Sequence, residues 1–176
     1  MMLAAVAVVA FVAVAGAVFW LSEQQARKMQ VGIPDFSSQE FRLTDQSGAS
    51  RSAADFAGAP VALFFGYTYC PDVCPMTLTL LANALDEAGD RGLDTAALQT
   101  IFVTVDAERD TPEQLAAYLS LFDTEVTGLT GSSEALVKVQ RDFGAYASRV
   151  EREDGVVLWD HTATVYLYDA DGRFTG

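Results

Sequence analysis

The sequence predicts an α/β domain, a mixed sheet flanked by helices, preceded by an apolar N-terminal helix. Three observations carry this. Two short, almost uninterrupted apolar runs, Pro60 to Tyr67 and Leu98 to Val105, read as buried strands covered on both faces. Each is followed by an amphipathic stretch of helical period, which is the strand-helix alternation of an α/β fold. The chain then changes character after residue 145, where short alternating segments separated by Asp-Gly turns read as antiparallel strands.

Met1 to Leu21 is unbroken apolar sequence, long enough to cross a hydrocarbon core of ~30 Å at ~1.5 Å per residue. It is read as a transmembrane anchor. A cleaved signal peptide is the rival, since Ala13-Val14-Ala15 and Ala15-Gly16-Ala17 fit the small-residue cleavage pattern, but the run is longer than a usual signal core and lacks a basic start. Residues 22–35 are polar, lack periodicity and form a tether, so the folded domain is expected over 36–176. The net charge of -13 falls wholly after Leu21. Such an acidic surface argues against nucleic acid and anionic lipid as partners.

Within the domain, Phe41 to Thr44 and Ser50 to Ser52 flank Asp45-Gln46-Ser47-Gly48 and predict an edge hairpin. Pro60 to Tyr67 is the central strand. Leu78, Leu81 and Leu85 then mark a helix that ends near Gly89 to Gly92. Leu98 to Val105 is the second buried strand, and Thr111-Pro112-Glu113-Gln114 is a strong helix start, with Leu115, Leu119 and Phe122 facing inward. Val126 to Leu129 predicts a third short strand. Ser132 or Ser133 caps a helix whose Leu136, Val139 and Phe143 face the core. Tyr146 to Val150 and Val156 to Trp159 form a hairpin about Asp154-Gly155, and Thr164 to Tyr168 is a last strand. This order matches a thioredoxin-like domain.

Both cysteines, Cys70 and Cys74, lie where the central strand hands over to its helix. The unpaired N–H groups and positive dipole end of a helix starting near Pro75 favour a thiolate at either position. A spacing of four puts the side chains roughly 5–6 Å apart if helical, close enough to share a metal ion or to close into a disulfide. Two inert buried cysteines are the alternative, which the flanking prolines at a loop edge argue against. With His161 the only histidine, a soft metal site must use nearly all the available ligands, and a closed structural zinc site lacks its fourth.

Phe65-Gly66-Tyr67-Thr68-Tyr69-Cys70-Pro71-Asp72-Val73-Cys74-Pro75, Val105-Asp106-Ala107-Glu108-Arg109-Asp110-Thr111-Pro112 and Asp160-His161-Thr162-Ala163, taken together, resemble the SCO/SenC family. The resemblance runs from Phe36 to the last residue. It implies a membrane-tethered, thioredoxin-like copper chaperone with its domain in the periplasm or mitochondrial intermembrane space. By the same resemblance Cys70, Cys74 and His161 are the copper ligands, and Cys70 with Cys74 forms a redox disulfide. The implied partner is the copper-bearing subunit of cytochrome c oxidase, whose binuclear copper site the family helps to metallate. The donor set agrees: thiolates suit Cu(I), and an imidazole nitrogen suits Cu(II) as well.

Asp160 either orients His161 or is a solvated turn residue. Asp106, Glu108, Arg109 and Asp110 follow a strand end, where sites form, but helix capping and local ion pairing account for them, and they stay outside the ligand set. Tyr67, Tyr69 and Trp159 either line a docking surface or pack the rim. A thiol-disulfide oxidoreductase or peroxidase is the competing function, which makes the assignment as an enzyme open. Against it, three residues rather than two separate the cysteines, and all five prolines lie at or before Pro112. Family domains normally carry a further C-terminal helix beyond Gly176, so part of one sheet face is expected to be uncovered.

Overall fold

The computed structural model describes Gly16, Trp20 and residues 32–176, and the rest of the expected membrane anchor and most of the tether lie outside the described residues. Among the described residues no helix is long and apolar enough to cross a membrane. Pro34–Gly176 form one compact unit. It is built on a six-stranded mixed sheet in the order β2-β1-β5-β4-β3-β8. The strands are β1 Leu43–Asp45, β2 Ser50–Arg51, β3 Val61–Gly66, β4 Gln99–Thr104, β5 Val126–Thr130 and β8 Val165–Tyr168. The helices are α1 Val73–Asp90, α2 Pro112–Leu119 and α3 Ser133–Asp142. This is the thioredoxin-like arrangement that the element order predicts.

All six residues of β3 are buried. That strand runs parallel to β4, with Phe64 opposite Phe102 and Gly66 opposite Thr104, and antiparallel to β8, with Phe64 opposite Val165. Successive side chains point to opposite faces, so a strand buried along its whole length needs a layer on each side. On one face, Phe102 meets Tyr118 of α2, and Gly66 leaves room for Cys74 of α1. On the other, Phe65 meets Phe143 at the end of α3.

Helix α1 buries Cys74, Leu78 and Ala82, a stripe one turn apart, while Leu81 and Leu85 are half-buried flanks. Of the three leucines that the sequence singles out, Leu78 thus lies on the inward face and the other two flank it. In α2, Thr111 accepts a hydrogen bond from the Gln114 backbone N–H at 3.3 Å, as its cap position predicts. The Gln114 side chain reaches Thr68 at 3.4 Å instead of closing a capping box. Leu115 and Leu119 are buried, but Phe122 lies past the helix end and is half-buried against Tyr118. Ser132 caps α3 by accepting from the Ala135 N–H at 3.2 Å.

The predicted late hairpin forms as β6 Ala147–Glu151 and β7 Val157–His161, but as a separate two-stranded sheet. At the opposite end of the domain from the cysteines, an apolar groove of about 660 Å³ is lined by Phe36, Phe41, Phe56, Val61 and Val139.

The α3 side of the core centres on Phe143, whose ring lies 5.8 Å from Phe36, 6.1 Å from Phe65 and 6.3 Å from Tyr168. Truncating so enclosed a ring loses its transfer free energy and leaves a cavity. We expect Phe143→Ala to lower stability by about 3–5 kcal/mol in urea unfolding, and Phe143→Leu by less. A loss below about 1 kcal/mol for the alanine variant would contradict this packing.

Candidate metal centre

Strand pairing sets the place of the site. Because β3, β4 and β5 are parallel, their carboxyl ends share one edge of the sheet, where open α/β folds place binding sites. The cysteine loop leaves β3 there and the Val105–Asp110 loop leaves β4 beside it. β8 runs the other way and enters at the same edge, which brings the preceding residues, His161 included, over the cysteines.

The three sequence-predicted residues converge: the donor atoms of Cys70, Cys74 and His161 lie within 4.8 Å of one another. Cys74, in the first turn of α1, is fully buried, and Cys70 is 8 % exposed. Both are free thiols. Helix α1 has no side-chain cap at Asp72; instead the Cys74 backbone N–H donates to Cys70 Sγ at 3.4 Å. A sulfur thus occupies the position that an oxygen usually fills at a helix start.

The ring of His161 is oriented by its own strand end. Nδ1–H donates to the Thr162 carbonyl at 3.0 Å, which turns Nε2 toward the sulfurs, 3.3 Å from Cys74 Sγ. In the neutral ring this leaves the Nε2 lone pair facing inward. Asp160 is exposed, so of its two readings the structure favours the solvated one, and a carbonyl does the orienting. Tyr67 is buried edge-on to the ring at 5.7 Å and Phe64 packs at 6.2 Å. Tyr67 is therefore packing, whereas Tyr69 is exposed and Trp159 is half-buried.

Close approach depends on Gly66. A Cβ there would sit 2.9 Å from Cys74 Sγ and 2.7 Å from the Phe102 ring, so any side chain would displace the sulfur. The acidic loop also does more than the sequence suggests. Asp110 is fully buried and accepts from the Thr68 N–H at 3.0 Å, from the Thr68 hydroxyl at 2.7 Å and from the Thr104 hydroxyl. It ties the cysteine loop to β4 and caps no helix. Its position after a buried strand was the one signal of this in the sequence. Asp106 pairs with Arg109, as local ion pairing predicts, and Glu108 is exposed.

The two thiols are electrostatically unequal. A hydrogen bond from Cys74 holds the Cys70 thiol down to about 4 against the opposing effect of burial, with help from His161 and the backbone amides. Cys74 is pushed up, because it donates to Cys70 and is deeply buried. Burial works to lower His161, but its contacts with Cys70 and the Thr162 carbonyl win, and its pKa is raised. In the reduced protein Cys70 is thus the thiolate and Cys74 the proton carrier.

Alkylation of native reduced protein by iodoacetamide should therefore modify Cys70 first, with a rate that stays nearly flat from pH 8 down to about pH 5. Peptide mapping checks the site. A rate falling tenfold per pH unit below the ordinary thiol value, about 8.5, would contradict the assigned thiolate.

Comparison with known proteins agrees with this geometry. The SCO1/SenC family description matches residues 33–176. Protein SCO2 homolog, mitochondrial, from Danio rerio is 39% identical over 86% of this chain and 52% of its own length. The chain thus spans about half the length of the curated relatives it matches. Among solved structures, Bradyrhizobium japonicum ScoI with copper bound is 42% identical with a TM-score of 0.72, covering 78% of this chain and 86% of that one. Yeast Sco1 with copper bound is 30% identical with a TM-score of 0.70, covering 78% and 76%. With the family match extending over the whole folded unit and the two thiols and one imidazole converging inside it, the chain belongs to the SCO1/SenC family.

Proposed function

We propose that this domain is a copper chaperone that helps to metallate the binuclear copper site of cytochrome c oxidase, carrying copper as cargo on Cys70, Cys74 and His161. The convergence of two thiol sulfurs with an inward-facing imidazole nitrogen carries the reading. Relatives solved with copper bound, at 42% and 30% identity, support it. Two soft sulfurs suit Cu(I), and the added imidazole extends the set to Cu(II). Cys70, already a thiolate and less deeply buried than Cys74, offers the first sulfur to an incoming ion. Cys74 must then lose its proton, which couples binding to pH. The receiving partner is the copper-bearing subunit of the oxidase. Met1 to Leu21 would tether the domain to the membrane on the periplasmic side or in the mitochondrial intermembrane space.

A second reading, a thiol-disulfide oxidoreductase, draws on the same inequality of the thiols. A low-pKa Cys70 is a competent nucleophile, and Cys74 beside it can close the Cys70–Cys74 disulfide. Cys70 attacks a substrate disulfide and displaces one substrate thiol, then Cys74 attacks the mixed disulfide at Cys70 and displaces the second, so the two electrons pass to the substrate and both sulfur ligands are lost.

Chelator competition separates the two. Reduced protein should bind about one copper per chain, and the oxidised form none, because ligation needs thiolates. His161→Ala should weaken Cu(II) by more than about tenfold and Cu(I) by less, since two sulfurs remain for the softer ion. Unchanged copper affinity in His161→Ala, with rapid disulfide exchange on a generic substrate, would reject the chaperone reading and establish the oxidoreductase.

A further inference from the structure

His161 rides on a hairpin that shares no strand pairing with the main sheet, so the ladder that fixes Cys70 and Cys74 does not fix the histidine. The Phe64 and Tyr67 rings pack against His161 itself, and Arg109 ties the hairpin strand to the same loops. Its Nη1 donates to the Val157 carbonyl, the first residue of β7, at 3.0 Å. Its guanidinium lies 4.9 Å from the Tyr69 ring, next to Cys70, and 5.8 Å from the Tyr67 ring, which packs edge-on against His161. Nε is held by Asp106, buried at the end of β4. One side chain therefore touches the loop of the thiols, the aromatic wall of the imidazole and the strand that delivers it.

The same side chain keeps a cost that a purely stabilising residue would not. Its remaining terminal nitrogen, Nη2, is buried with no hydrogen-bond partner among the described residues. A buried donor left unmet calls for a reason, and here the reason is that the planar fork is aimed at three separate elements.

We propose that Arg109 is a positioning residue that holds the β6–β7 hairpin so that His161 Nε2 faces the two sulfurs. It touches no donor atom and acts through the hairpin. The inference rests on the copper reading above, and the experiment separates the two. Arg109→Gln, Arg109→Lys, the double variant Asp106→Asn/Arg109→Gln and His161→Ala are compared with the wild-type domain. The double variant leaves no unpaired buried carboxylate, and so it keeps the test valid if Arg109→Gln folds poorly.

Three quantities are read: Cu(II) and Cu(I) affinity by chelator competition, imidazole nitrogen coupling in pulsed EPR of the Cu(II) form, and amide hydrogen exchange across 147–161 without copper. Arg109→Gln and the double variant should lose about 10- to 100-fold in Cu(II) affinity, with a smaller loss for Cu(I). They should also show weakened nitrogen coupling and faster exchange confined to the hairpin. Arg109→Lys, which keeps the charge but not the fork, should fall between them and wild type. Wild-type coupling and Cu(II) affinity in both glutamine variants, with His161→Ala defective, would overturn the positioning role and leave the copper reading intact. Equal losses for Cu(I) and Cu(II) with exchange raised across the whole domain would overturn it too, as a general structural role. A His161→Ala variant indistinguishable from wild type would instead overturn the copper reading.

Discussion

The pairing of β3, parallel to β4 on one side and antiparallel to β8 on the other, is the interaction on which the rest depends. A parallel neighbour places the loops after β3 and β4 at one edge, and an antiparallel neighbour returns the chain to that edge from the far end of the sequence. This pairing brings the thiols at 70 and 74 and the imidazole at 161 to one edge of the sheet. Gly66 completes the arrangement at the last residue of β3, because its missing side chain is the space that Cys74 Sγ occupies. Burying all six residues of β3 makes the pairing rigid, since neither face offers room for a slipped register.

The electrostatics follow from where those loops end. Helix α1 begins at the edge with its N–H groups free of a side-chain cap, and a sulfur accepts from one of them. That favours charge on Cys70, whereas deeper burial and the shared proton disfavour it on Cys74. Two cysteines four residues apart thus acquire opposite roles without any difference in residue type. Asp110, buried nearby, stays compatible with this because three donors from Thr68 and Thr104 satisfy it, although burial still raises its pKa.

Much of this was legible in the sequence. The apolar runs located β3 and β4, Thr111-Pro112 located α2, and the Cys-Pro-Asp-Val-Cys-Pro motif with a distant histidine located the three donors that converge. What escaped were properties that depend on direction rather than type. The buried stripe of α1 runs through Cys74, Leu78 and Ala82, so Leu78 faces inward as expected while Leu81 and Leu85 flank it. His161 is oriented by a backbone carbonyl, which every residue carries and no motif can mark. Asp110 resembled a helix cap, yet its bonds run 42 residues back to Thr68, a pairing visible only once the strands are side by side.

The central claim is that both sulfurs and the imidazole act on one ion. X-ray absorption of the reduced protein loaded with one equivalent of Cu(I) tests it most directly, because scattering distinguishes sulfur from nitrogen neighbours. The account predicts two sulfur neighbours and one nitrogen neighbour around copper, with the nitrogen lost in His161→Ala. A first shell of sulfur alone in the wild type, or one unchanged by removing His161, would contradict it.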